Sequence, residues 1–288
     1  MPPPPRRIDS HVHIWHPPSS TNFPPAPDRP PPPTSPAGTP ADLAAVLPSG
    51  GVSGAVIIQP INYGFDHTAI AAAVASPPPG VTLAGVALAA TPGGPAAAAA
   101  AVRDAITAAA GGPPLVGVRL NPALLPAGET LAGPTAAAVV ATAGTLGVPV
   151  NIFCRPPDGD GLAALVAGHP TVGLWVDHWG FCRPVGGEGA WEALLRLGAA
   201  SPQLGLKLSA SFRVSNVGNP YGDLAGWASQ AVGVFGSNRL MWGSDWPYVE
   251  EAGGYAAAWA AADVVLEGVA DDDRWRILGG TAAAVYGL

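Results

Sequence analysis

His11 and His13 stand two residues apart in a β-branched run near the N-terminus, Ile8-Asp9-Ser10-His11-Val12-His13-Ile14. In a strand, residues i and i+2 share a face, so the two imidazoles can bind one divalent ion or bracket one anionic oxygen. A hydrogen-bonded pair that simply fills a core is the other reading. His178 ends a second run, Val176-Asp177-His178-Trp179-Gly180, and Asp245 ends a third, Trp242-Gly243-Ser244-Asp245-Trp246-Pro247. Alone, such a His could be structural and such an Asp a turn cap. Together, a carboxylate and several imidazoles can take a proton from water while stabilising the oxyanion that develops on an attacked carbonyl.

These groups can cooperate only if the fold brings three distant strand ends together. Eight short β-branched runs read as strands at 8–14, 54–60, 82–88, 115–121, 148–154, 172–178, 204–209 and 239–245. Ala- and Leu-rich stretches with helical spacing follow them at 41–47, 67–75, 95–110, 135–146, 160–168, 189–199, 221–235 and 253–267. Eight β/α units are the arithmetic of a closed α/β (β/α)8 TIM barrel, here one domain over 1–288. In that fold strands eight and one are neighbours and catalytic groups sit at the C-terminal strand ends. A doubly wound sheet would open with a Gly-rich phosphate loop, and His11-Val12-His13-Ile14-Trp15 is not one. The Pro-, Ser- and Thr-rich segment 17–40 cannot form regular structure and follows strand one, where a barrel places active-site loops. It is expected to form part of the pocket rim.

Composition argues against nucleic-acid and membrane partners, and a small-molecule substrate is expected. Of 288 residues 48% are hydrophobic and 11% charged, enough to bury a large core, yet no run of about 18 apolar residues reads as a membrane span. A net charge of −7, with basic residues scattered singly, argues against nucleic acid. Two cysteines fit a reducing compartment, and no apolar leader follows Met1, so an intracellular place, cytoplasmic or organellar, without a secretory signal is expected.

The three motifs together resemble the amidohydrolase-2 (amidohydrolase-related) family, which includes sugar-lactone hydrolases, 2-pyrone-4,6-dicarboxylate lactonase and aminocarboxymuconate-semialdehyde decarboxylase. Ile57-Ile58-Gln59-Pro60, Gly117-Val118-Arg119-Leu120-Asn121 and Lys207-Leu208-Ser209 with Arg213 agree, so the resemblance runs from about Ile8 to Tyr286. In the lactonase branch it implies that His11, His13 and His178 polarise a lactone carbonyl and that Asp245 activates water. Arg119 and Arg213 become holders of substrate carboxylates, with loop or surface pairing as their other reading. Gln59 and Asn121 join them as substrate-binding candidates, and a homodimer is possible.

Three positions depart from the family pattern. Metal-dependent members carry a His on strand five, where this chain has Phe153 followed by Cys154. The resulting expectation is catalysis with no metal or other cofactor. The alternative is one divalent metal such as Zn²⁺ on His11, His13, His178 and Asp245, in a metal-dependent hydrolase or nonoxidative decarboxylase. Leu125 replaces an arginine of the pyrone lactonases, and Tyr248 stands where His is common. A catalytically inactive barrel acting as a binding protein is the alternative of another class, and the retention of His11, His13 and Asp245 argues against it. Trp15, Trp179 and Trp246, beside the three motifs, are expected to wall the pocket.

Overall fold

A computed structural model describes residues 6–33, 38–89, 91–107 and 115–288. Eight parallel strands pair in chain order. They are β1 (Arg7–Val12), β2 (Val52–Ile58), β3 (Thr82–Leu88), β4 (Gly117–Leu120), β5 (Val150–Ile152), β6 (Leu174–Val176), β7 (Leu204–Ser209) and β8 (Leu240–Gly243). The ring closes between β1 and the end of β8. There Asp245 N donates to His11 O at 2.9 Å and His13 N to Trp246 O at 2.7 Å. The bonds that seal the barrel are thus made by residues of the first and last sequence motifs.

Each strand leads to a helix on the outside, beginning with Pro40–Val46 after β1 and ending with Tyr255–Val265 after β8. The expected strands 82–88 and 204–209 coincide with the observed ones. Those expected to end at His178 and Asp245 stop two residues earlier, at Val176 and Gly243, because the chain leaves the ladder there to form the mouth. The expected helix at 95–110 is observed as Gly94–Thr107, and 108–110 lie outside the described residues. Among the described residues no helix is long and apolar enough to cross a membrane.

Strand alternation divides the apolar residues between two cores. Val12, Ile57, Val118, Ile152, Val176 and Leu206 face the helices and belong to the larger one. Ile8, Val56, Ile58, Val86, Trp175 and Met241 belong to the smaller one inside the barrel, together with Ala282 and Tyr286 of the terminal helix Thr281–Tyr286. Gly205 makes room for Trp175 there, since a Cβ at that position would sit 2.4 Å from the indole. The terminal helix closes the end of the barrel opposite the mouth. Gly279 permits this by passing against the backbone of Arg6, whose carbonyl oxygen would lie 2.1 Å from an added Cβ.

Tyr286 is the centre of that stopper. It is 2% exposed, its hydroxyl donates to Asn151 Oδ1 at 2.7 Å, and Lys207 Nζ lies 5.4 Å from its ring centroid. Tyr286→Ala should cost about 3–5 kcal/mol, as for other large aromatic-to-alanine changes in cores. Tyr286→Phe removes one hydrogen bond and should cost roughly 1 kcal/mol. Denaturant unfolding of the two variants checks the order, and equal losses would show that the ring does not fill the barrel.

Candidate active site

A β-bulge aims the first motif. Asp9 pairs with Ala55 and Val12 with Ile57, so β1 advances three residues while β2 advances two. The extra residue turns Asp9 toward the helix layer and leaves His11 and His13 facing the lumen. Asp9 fastens the bulge from outside. It accepts from the N–H groups of His11 (3.1 Å) and Ser244 (3.0 Å) and from Trp259 Nε1 (3.4 Å). Gly243 makes room for it on β8, where a Cβ would lie 3.0 Å from His11 Cβ and Ser10 Oγ.

Asp177 organises the floor. Its carboxylate is wholly buried and meets His11 Nδ1 at 3.2 Å, Arg119 Nε at 2.9 Å and Lys207 Nζ at 3.7 Å. Burial works against its charge, but His11, Arg119 and Lys207 outweigh it and hold the carboxyl well below its ordinary range. Lys207, itself 0% exposed, also donates to Ser10 O at 2.9 Å and so grips the bulge. Neither Asp177 nor Lys207 stood out in the sequence as a site residue, although both lie inside quoted motifs. An ionisable residue at an inward strand position was the available signal.

Asp245 gathers the second group. Arg213 Nε donates to its Oδ2 at 2.8 Å, while His13, His11 and His178 present Nε2 atoms 3.3, 3.9 and 4.0 Å from its Oδ1. His11 Nδ1 faces the Asp177 carboxylate and His13 Nδ1 faces Ile58 O at 2.8 Å. Both partners only accept, so these Nδ1 atoms carry hydrogen and the Nε2 of each ring faces inward. His178 Nδ1 lies 2.9 Å from Ser209 Oγ. Burial pulls His178 down to about 4 and holds His11 well below 6.5, so both are uncharged near neutral pH. Burial alone would raise Asp245, but His178, His13 and Arg213 keep it well below the carboxylate range.

The Nε2 atoms of His11, His13 and His178 thus converge on one carboxylate oxygen, an arrangement that a bridging cation would satisfy. His11 Nε2 and Asp245 Oδ1 are both buried without a hydrogen-bond partner, as are His11 Nδ1 and Asp177 Oδ1, whose 3.2 Å contact is electrostatic. Ligand atoms sharing one tetrahedral zinc with bonds of ~2.0–2.1 Å lie about 3.3–3.5 Å apart. The observed spacing is close to that, and the donors of His11, His178 and Asp245 lie within 4.8 Å of one another. The donor set fits a divalent metal without any ligand from strand five.

Backbone strain marks the same two positions. His178, Trp179 and Phe181 adopt φ of 56°, 57° and 53°, and Asp245 adopts 64°. Left-handed backbone at non-glycine residues costs of order 1–3 kcal/mol each and persists where the surroundings enforce it.

Above this floor lies a cleft of about 190 Å³, lined by His13, His178, Asp245, Arg119, Asn121 and Arg213. Its apolar walls are Phe153, Phe181 and Tyr248, with Arg155 at one side. His11 sits below, wholly buried. Gln59 lies elsewhere. It follows the inward Ile58 and so points outward, where its Nε2 donates to Asp66 O at 2.7 Å. Asn121 reaches the cleft while its side chain accepts from Ala123 N at 3.1 Å. The expected tryptophan walls are replaced by Phe153, Phe181 and Tyr248, because Trp179 and Trp246 belong to the larger core and Trp15 is buried behind Tyr248, 5.3 Å between ring centroids. Segment 17–40 does not line the cleft in its described part. Ala26 N donates to Asn62 O at 2.8 Å and Asn62 Nδ2 to Pro30 O at 3.0 Å, bracing the β2 loop that carries Pro60 and Ile61 to the cleft. Residues 34–37 of that segment lie outside the described ones.

Lys207 allows the buried charge network to be tested. Burial brings it down to about 8 from its ordinary 10.5 despite the pull of Asp177. Between those two values the unfolded chain holds the proton that the folded chain has released, so the Lys207 contribution to stability rises with pH across that window. The stability of the parent minus that of Lys207→Met, from denaturant unfolding at pH 8 and pH 10, should increase toward pH 10. A constant or falling difference would show that pairing with Asp177 outweighs burial in setting the proton affinity of Lys207.

Comparison with known proteins places the chain in a family. The family model described as Amidohydrolase matches residues 8–288. The chain is 33% identical over 100 residues to a 4-sulfomuconolactone hydrolase from Rhizobium radiobacter, covering 34% of this chain and 33% of the relative. It is 30% identical over 135 residues to an L-fucono-1,5-lactonase from Burkholderia ambifaria, covering 43% and 45%. Both matches therefore span less than half of the curated relatives. A Pseudomonas putida structure, provisionally named a 2-pyrone-4,6-dicarboxylic acid hydrolase, superposes over 98% of both chains with a TM-score of 0.76 at 25% identity. With the family match running from the first strand to the final residue, this chain belongs to the amidohydrolase family.

Proposed function

We propose that this protein is a lactonase-like hydrolase that opens a small lactone bearing carboxylate or hydroxyl substituents, with Asp245 as general base. The observation that carries the reading is the convergence of three imidazole Nε2 atoms on Asp245 Oδ1 at the floor of a cleft lined by arginines. The two curated relatives, each named for hydrolysis of a lactone, support it. A cleft of about 190 Å³ is smaller than the ~300–1,000 Å³ of drug-sized sites and suits one small ring.

Arg213 holds Asp245 Oδ2 and leaves Oδ1 directed at the imidazoles. A carboxylate held this low is a weak base, so the water it deprotonates must first be made more acidic. A divalent ion on His11, His13, His178 and Asp245 would supply that Lewis-acid charge and polarise the lactone carbonyl. In this reading the sequence-based expectation of a metal-free site gives way to the donor geometry. Asp245 takes a proton from water as the water oxygen attacks the carbonyl carbon. The ring C–O bond breaks, Asp245 returns the proton to the departing ring oxygen, and a hydroxy acid results. Asp177 keeps the hydrogen of His11 on Nδ1, and Arg119, with its Nε on Asp177, offers its terminal nitrogens to the substrate.

Asp245→Asn preserves shape and removes basicity, so kcat on a hydrolysed lactone should fall by roughly 10²–10⁴ while circular dichroism stays native. Near-parental turnover would remove Asp245 from the role of base. The metal is tested separately by elemental analysis and chelation. About one equivalent of a divalent metal is expected, with activity lost on its removal and restored on its return. Full activity in protein stripped of metal would instead favour catalysis by the imidazoles and arginines alone.

A further inference from the structure

Three guanidinium groups reach the cleft, and they are not equivalent. Arg119 is 4% exposed and places Nε on Asp177, while Arg213 places Nε on Asp245. Each of these cations faces a carboxylate at hydrogen-bond distance, so much of its field is already balanced. Arg155 differs. Among the described residues no carboxylate pairs with its guanidinium, and Asp158, the nearest acid in sequence, instead accepts from the Arg155 backbone N–H at 2.9 Å.

What holds Arg155 is aromatic. Its guanidinium carbon lies 5.4 Å from the ring centroid of Phe153 and 5.4 Å from that of Phe181. The two rings meet edge to face at 4.9 Å, and both touch His178, with centroids 6.4 Å and 5.2 Å away. A guanidinium positioned by ring faces keeps its charge and leaves its planar N–H donors unspent. Those donors match a carboxylate in bidentate geometry.

We propose that Arg155, held by Phe153 and Phe181, binds a carboxylate that the substrate carries outside its reacting ring. This narrows the lactonase reading to carboxylated lactones and rests on that reading for the identity of the ring. It also gives Phe153 a purpose at a strand end where a metal-binding histidine would otherwise be expected. The residue serves as a platform for cations, taking Arg119 at 5.0 Å as well as Arg155.

Binding can be measured without turnover. Tetrahydrofuran-2-carboxylate and its carboxamide are unreactive ring analogues that differ only in charge, and calorimetry on the folded protein gives their affinities. The parent should bind the acid at least tenfold more tightly than the amide, and Arg155→Gln should reduce that ratio to near one. Such a change is the size expected for one charge-assisted hydrogen-bonding pair, about 1.4 kcal/mol per tenfold. Arg155→Lys keeps a point charge without the planar fork and should retain part of the preference, and Phe181→Leu should weaken it by removing one face of the clamp. For a hydrolysed lactone acid, Arg155→Gln should raise KM by a larger factor than it lowers kcat. A parent without preference for the acid, or a preference that survives in Arg155→Gln, overturns the proposal. If the preference is present and lost as expected while no lactone is turned over, the lactonase reading fails and the carboxylate site stands.

Discussion

Asp177 is a carboxylate without exposed surface, and a proton-bearing imidazole, a guanidinium and an ammonium are disposed around it. A buried charge of this kind is tolerated only when its partners offset the loss of water, and here each partner also belongs to the site. His11 receives its tautomer from Asp177, Arg119 its orientation, and Lys207 a counter-ion that lets it grip the bulged first strand through Ser10 O. Removing one member would leave the others buried and unpaired, so floor and function are coupled. Lys207 and Asn151 in turn meet Tyr286, which ties this polar layer to the stopper at the far end of the barrel.

The irregular backbone is concentrated where the barrel closes and where its mouth opens. The bulge in β1, the close approach of Gly243, and the left-handed turns at His178 and Asp245 all depart from regular strand geometry. A regular β1 would put Asp9 and His11 on the same face. The bulge separates them, so Asp9 binds the helix layer while His11 enters the lumen. Strain of a few kcal/mol at His178 and Asp245 is sustained by the closing hydrogen bonds and by Ser209, which meets both the backbone and the ring of His178.

The cleft combines two electrostatic styles. Toward the floor, charge is balanced by opposite charge at bonding distance, which fixes positions and lowers the net field. Toward the side, Arg155 is held by the quadrupoles of two phenyl rings and keeps its charge for a ligand. Phe153 borders both regions, and its ring meets the guanidiniums of Arg119 and Arg155 and, edge to face, the imidazole of His178.

The amino-acid pattern by itself determined the alternation of strands and helices, hence the barrel, because hydrophobic periodicity is a local property. It also determined that His11, His13, His178 and Asp245 lie at strand ends, which a closed parallel barrel gathers at one mouth. Which way each side chain turns was decided only by the tertiary structure. Gln59 stood beside a convincing motif yet faces outward, since strand parity places it opposite Ile58. Trp179 and Trp246 entered the core because the left-handed turn at His178 and the closing bonds at Trp246 turned them away from the mouth. The missing strand-five histidine argued against a metal when ligands were counted along the chain. Three imidazole Nε2 atoms meeting one carboxylate oxygen fit a cation, and that meeting depends on a bulge, on Asp177 and on barrel closure. None of these is local to the residues they position.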